Sequence, residues 1–123
     1  MNDTEYHALA DALLRRLETQ MDAWLQADVI DIDTQRSGGM LELTFPDGSK
    51  IVVNKQPPLH EVWLAARAGG FHFRWDGSVW RDTKSGADFT ALFNQEAARQ
   101  AGGLLGACAA EIAPALRGPR PLA

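Results

Sequence analysis

The sequence of 123 residues contains a single cysteine, Cys108. That count excludes an internal disulfide and a cysteine-based zinc site, and it predicts a reducing compartment such as a bacterial cytosol. Positive charge is also short: 12 Lys and Arg stand against 16 Asp and Glu, a net charge of -4. The balance disfavours nucleic acid and favours cations or a basic protein surface as partners. No apolar run approaches the roughly 20 residues that span a bilayer. The opening Met1-Asn2-Asp3-Thr4-Glu5 has neither the basic and apolar regions of a signal peptide nor an Arg-rich transit pattern, which predicts a soluble, cytoplasmic protein. A GxGxxG, a P-loop, a GxSxG elbow, an EF-hand loop, an HExxH pair and a paired-carboxylate bundle motif are all missing. These absences predict a binding protein and not an enzyme.

What is present is the composition of one globular domain, 46% hydrophobic and 23% charged. Between Thr4 and Leu25 the residues Tyr6, Leu9, Ala10, Leu13, Leu14, Leu17, Met21, Trp24 and Leu25 recur at three- and four-residue spacing. This spacing predicts an amphipathic helix capped by Asp3 or Thr4. Alternation follows: Ile30 and Ile32 oppose Asp31 and Asp33, and Leu41, Leu43 and Phe45 oppose Met40, Glu42 and Thr44. With Gly38-Gly39 and Asp47-Gly48 as hairpin turns, strands are predicted over 29–35, 39–46 and 49–55. Pro57-Pro58 breaks the run, and further strands are expected over Leu59–Arg67, Phe71–Trp75 and Val79–Arg81. Ser85 or Asp88 caps a second helix carrying Phe89, Leu92, Phe93 and Ala97 on one stripe, with Gly102-Gly103 as its stop. The expected fold is α+β: a two-layer sandwich with the N- and C-terminal helices on one face of a five- to six-stranded antiparallel sheet. The domain is placed at 1–103, and 104–123 is read as a C-terminal tail.

Two surfaces stand out. On a helical wheel of about 100° per residue, Asp3, His7, Asp11, Glu18 and Asp22 fall within an arc of roughly 100°, and Asp28, Asp31 and Asp33 follow directly after the helix. Carboxylates and an imidazole in this pattern suit weak, peripheral binding of a hard or borderline cation. A solvated helix face is the plain alternative, and the spacing leaves both open. On the sheet, period two sends Val62 and Leu64 inward and leaves Trp63 with Glu61 on the other face, near Asn54 and Gln56. If the helices cover only one face, Trp63 is exposed as an aromatic anchor for a partner; the alternative is a tail or loop covering it. Trp75 and Trp80 flank a tight turn and are expected to pack together, and His60 and His72 are read as ordinary strand histidines.

The run Asp47-Gly48-Ser49-Lys50-Ile51-Val52-Val53-Asn54-Lys55-Gln56, continuing through Pro58-Leu59-His60-Glu61-Val62-Trp63-Leu64-Ala65 and Gly69-Gly70-Phe71-His72-Phe73, resembles the frataxin family in its bacterial, CyaY-type form. Met1-Asn2-Asp3, Tyr6-His7, Leu9-Ala10, Trp80, Ser85-Gly86, Phe89 and Leu92 also fall where that family has equivalents. The resemblance implies two helices on one face of an antiparallel sheet. It implies ferrous and ferric iron held by Asp3, His7, Glu18, Asp22, Asp28, Asp31 and Asp33, a basic patch of a cysteine desulfurase engaged by the same ridge, Glu18 and Asp22 included, and the scaffold side of the iron–sulfur assembly complex facing Asn54, Gln56 and Trp63. The implied role is regulation of cluster assembly, with iron delivered or sensed; a monomer is expected, and whether iron drives oligomers is left open by the sequence. A metal-independent module whose ridge only docks a basic surface is the alternative role. Two departures mark this sequence. Thr19 and Ala23 stand where family members often pair a second acid with Glu18 and Asp22, and Arg15 and Arg16 interrupt the face. The tail also runs past the usual bacterial end, and Leu104, Leu105, Ile112 and Leu116 are expected to cover the groove between the helices.

Overall fold

The computed structural model describes residues 1–102. The expected tail contacts and Cys108 lie outside them. Helix α1 spans Asp3–Gln26. Its cap is Asn2, whose Oδ1 accepts a hydrogen bond from the Glu5 amide at 2.8 Å, so the expected Asp3 or Thr4 cap is corrected by one or two residues. Asn is as good a cap as Asp, and its use leaves Asp3 in the first turn beside the positive end of the helix dipole.

Six strands follow in a simple meander: β1 Asp33–Ser37, β2 Met40–Thr44, β3 Lys50–Gln56, β4 Glu61–Ala66, β5 Gly69–Trp75 and β6 Trp80–Asp82. They are ordered β1-β2-β3-β4-β5-β6 and every neighbouring pair is antiparallel. Helix α2 spans Phe89–Ala101, capped by the Asp88 carboxylate on the Ala91 amide at 2.7 Å and ended by Gly102 at φ +63°, a left-handed conformation that suits glycine. The α+β sandwich read from the sequence is the fold observed.

Strand boundaries moved for identifiable reasons. β1 begins at Asp33, not 29, because its partner β2 ends where Thr44 pairs Asp33 and Phe45 turns into the β2–β3 connection. Ile30 and Ile32 are still buried as their alternation required. The segment expected as a strand from Leu59 is first a 3-10 turn over Pro57–Leu59, since two prolines supply no ladder donors. His60 then adopts φ +52° before β4 begins at Glu61. The strand expected from Phe71 starts at Gly69, and the last one runs Trp80–Asp82, one residue late.

The core lies between the helices and one sheet face. Tyr6, Leu13, Leu14, Leu17, Met21 and Trp24 of α1 and Phe89, Phe93 and Ala97 of α2 meet Leu41, Leu43, Ile51, Val53, Val62, Leu64 and Phe73. Each of these strand residues alternates with a less buried neighbour, and among the described residues no helix lies over the opposite face. Trp75 and Trp80 pack edge-on, ring centres 5.7 Å apart, as expected. Tyr6 joins α1 to the sheet by donating its hydroxyl to the Glu61 carbonyl at 2.7 Å.

Candidate functional site

The α1 ridge is divided into three parts by what the sheet side brings to it. At the N-terminal end the Asp3 carboxylate sits 2.6 Å from His60 Nε2, and that hydrogen bond, with the imidazole charge behind it, holds the Asp3 carboxyl below its usual range. The His60 ring stacks on Tyr6 at 5.0 Å, while His7 meets the same tyrosine edge-on at 5.1 Å. In the middle, Asp11 accepts a hydrogen bond from Lys55 Nζ at 2.8 Å, and Glu18 pairs with Arg36 Nη1 at 2.5 Å. The Lys55 stem reaches this position past Gly39, where a Cβ would lie 3.3 Å from it.

The C-terminal end is open. Glu18 and Asp22 of α1 face Asp31 and Asp33 across a groove of about 340 Å³, completed by Met21, Leu25, Ile32 and Thr34. Four carboxylates and no basic residue line it. Asp28 stands apart: it takes φ +58° and reverses the chain after α1, outside the groove lining. The eight ridge residues singled out in the sequence therefore do not converge on one point. Among the described residues no three His, Cys, Asp or Glu side chains are arranged to hold one metal ion. An ion in the groove would be held by one or two carboxylates with water filling its remaining positions.

The second surface lies on the sheet face that, among the described residues, carries no helix. Trp63 pairs with Asn54 on β3 and with His72 on β5, and Gln56 donates to the Asn54 side-chain oxygen at 3.2 Å. Asn54, Gln56 and Trp63 thus share one patch, as the register implied. Trp63 is half-buried and not freely exposed, because the His72 ring stacks on it at 4.1 Å and 8°. Glu61, expected to face solvent beside it, is buried at 5% exposure. Its two oxygens accept from the Trp63 indole at 2.8 Å and from Arg74 at 2.7 Å. Burial alone would raise the Glu61 carboxyl, but these hydrogen bonds outweigh it and hold the group below its usual range. The His72 stack on Trp63 and the Arg74 pairing with Glu61 are the features of this face that sequence reasoning missed. The His72–Trp63 stack was within reach, since centring the β4–β5 hairpin on the connection after Ala66 sets those two residues opposite each other.

With the geometry in view, comparison with known proteins gives a consistent answer. The frataxin-like domain family model matches residues 1–103. The iron-sulfur cluster assembly protein CyaY of Burkholderia mallei (strain SAVP1) is 51% identical over 102 residues, covering 83% of this chain and 94% of that protein. Among solved structures, frataxin from Psychromonas ingrahamii superposes with a TM-score of 0.75 at 32% identity, over 83% of this chain and 93% of the other. Yeast frataxin gives 0.68 at 27% identity, over 80% and 82%. The six-stranded meander, the paired helices and the matched sequence together show that this chain belongs to the frataxin family.

Proposed function

We propose that the protein serves iron–sulfur cluster assembly as an iron-responsive regulator, binding iron weakly along the α1 ridge and docking through the same ridge on a cysteine desulfurase, with the scaffold protein against the Asn54–Trp63 face. The observation that carries this reading is the groove at the end of α1, which Glu18, Asp22, Asp31 and Asp33 line with no lysine or arginine among the lining residues. Arg36 pairs with Glu18 from outside the lining, whereas Asp22, Asp31 and Asp33 take part in no ion pair among the described residues, and such clustered like charges gain when a cation or a basic surface arrives. The relatives' description as assembly proteins supports the cellular context, and the chain acts as a binding partner, not as a catalyst.

Anaerobic titration with ferrous iron, followed by amide NMR, tests the metal half. Broadening confined to Glu18, Asp22, Asp31 and Asp33, with Asp3 and His7 as a weaker second locus, is the expected result. Unchanged amides at excess iron would remove iron from the account. A metal-independent docking role is the second reading, and the lack of any three converging ligands among the described residues favours it. Under that reading the ridge binds its basic partner equally well in iron-free buffer.

A further inference from the structure

Glu61 lies beneath the sheet surface that carries Trp63, with its side chain 6% exposed. Its carboxyl is held below the usual range, so at neutral pH it is ionised and can only accept hydrogen bonds. It accepts from the Trp63 indole Nε1 at 2.8 Å and from Arg74 Nε at 2.7 Å. Its main chain is fixed as well, because the buried Tyr6 donates its hydroxyl to the Glu61 carbonyl at 2.7 Å. Trp63 is only half-buried, so solvent is at hand for its N–H and the fold does not need an internal acceptor there. Trp24 and Trp80 give the contrast: their indole nitrogens are buried and find no partner among the described residues. A buried acceptor is supplied to the surface indole and not to these two core ones. A tryptophan turns about two side-chain bonds. The hydrogen bond holds the N–H edge of the ring against Glu61, and His72 covers one ring face at 4.1 Å and 8°, so both rotations are restrained.

We infer that Glu61 is the positioning residue of the Trp63 anchor: it sets the indole in its docking orientation before the partner arrives, and the partner meets the ring with an apolar pocket that offers no acceptor to the indole N–H. This inference rests on the reading of the Asn54–Trp63 face as the surface that docks the scaffold protein, and adds to it the chemistry of the contact. Arg74, whose side chain is 63% exposed, pairs with the carboxylate from the solvent side, so the buried charge does not stand alone under the interface. An anchor that is already ordered loses no rotamer freedom on binding. Releasing it is expected to weaken docking by about two- to tenfold, against about 30-fold or more for removal of the ring itself.

The test is calorimetric binding of the purified scaffold protein to the full chain as wild type, Trp63→Ala, Glu61→Gln, Glu61→Met and Glu61→Val, with hydrogen exchange at the Trp63 indole followed by NMR. Met and Val remove the acceptor on differently shaped side chains, so misfolding of one leaves the other to decide. Both are expected to expose the indole N–H to exchange and to bind about two- to tenfold more weakly. Glu61→Gln keeps an oxygen for the indole and is expected to retain the protected N–H and to bind within about twofold of wild type. If Trp63→Ala loses binding but the Met and Val variants bind like wild type, or keep the indole N–H protected, the inference falls while the docking reading stands. Equal weakening of Gln, Met and Val would make the charge, and not the orientation of the ring, the cause, and would overturn the inference too. If wild type does not bind the scaffold, or Trp63→Ala binds it equally well, the docking reading fails and takes the inference with it.

Discussion

Tyr6 is the single tyrosine of the sequence, which makes one interaction of the fold separately measurable. Its ring is 0% exposed, its hydroxyl donates to the Glu61 carbonyl at 2.7 Å, and burial raises its ionisation to about 12. Tyr6→Phe keeps the ring packing on His60 and Trp80 and removes only the donor. The lost hydrogen bond to the buried Glu61 carbonyl is worth about 1–2 kcal/mol, or roughly 5–10 °C of melting temperature for a domain near 100 residues. Because the folded ionisation lies above the unfolded one, the stabilisation is complete below the ordinary tyrosine value of 10.0. It drains away as pH rises from there toward about 12. Thermal melts of both proteins from pH 7 to 12 check this, with ultraviolet titration of the lone phenol as an independent readout. The two melting curves should differ at neutral pH and converge in strong alkali. A phenol titrating at its ordinary value, or a Tyr6→Phe protein melting within a degree of wild type at pH 7, would refute the reasoning.

Two further outcomes follow from the geometry. Since the Glu61 carboxyl is held below its usual range, its stabilisation is present above the ordinary value of 4.5 and is lost as pH falls below it; Glu61→Gln should cost about 1–2 kcal/mol at pH 7 and flatten this acid limb, read by urea unfolding against pH. Removing the α2 cap with Asp88→Ala should cost about 1 kcal/mol, seen as a lower urea midpoint at unchanged slope, because the Asp88 side chain is the cap acceptor for the Ala91 amide.

The parts of this fold that were legible in the sequence are those governed by short-range periodicity. The helical spacing from Tyr6 to Trp24 and the alternation through Leu41, Leu43 and Phe45 correctly separated buried from exposed positions, because a helix or strand presents its faces regardless of what it packs on. Boundaries were less legible, since the start of β1 depends on where its partner β2 stops and not on its own residues. Glu61 shows a different limit: its position on the outer face was correct, yet it is buried because Trp63 and Arg74, two and thirteen positions away, fold over it. The ridge was the hardest feature to read. A helical wheel groups Asp3, Asp11, Glu18 and Asp22 on one side, but it contains no information about His60, Lys55 and Arg36, which tertiary structure carries to that side from three other elements. The acidic face is in consequence partly neutralised, and its open portion is the short stretch at the end of α1.

Docking of a basic partner on this open acidic stretch is what we propose. It is tested most directly by capture of a purified cysteine desulfurase on immobilised wild-type protein and on Asp22→Lys, with and without ferrous iron. Asp22 lines the groove, is exposed and takes part in no ion pair among the described residues, so its replacement reverses the local field while leaving the fold's contacts in place. Wild type should retain the desulfurase and Asp22→Lys should lose it. Equal retention by the two proteins, in either buffer, would contradict the account.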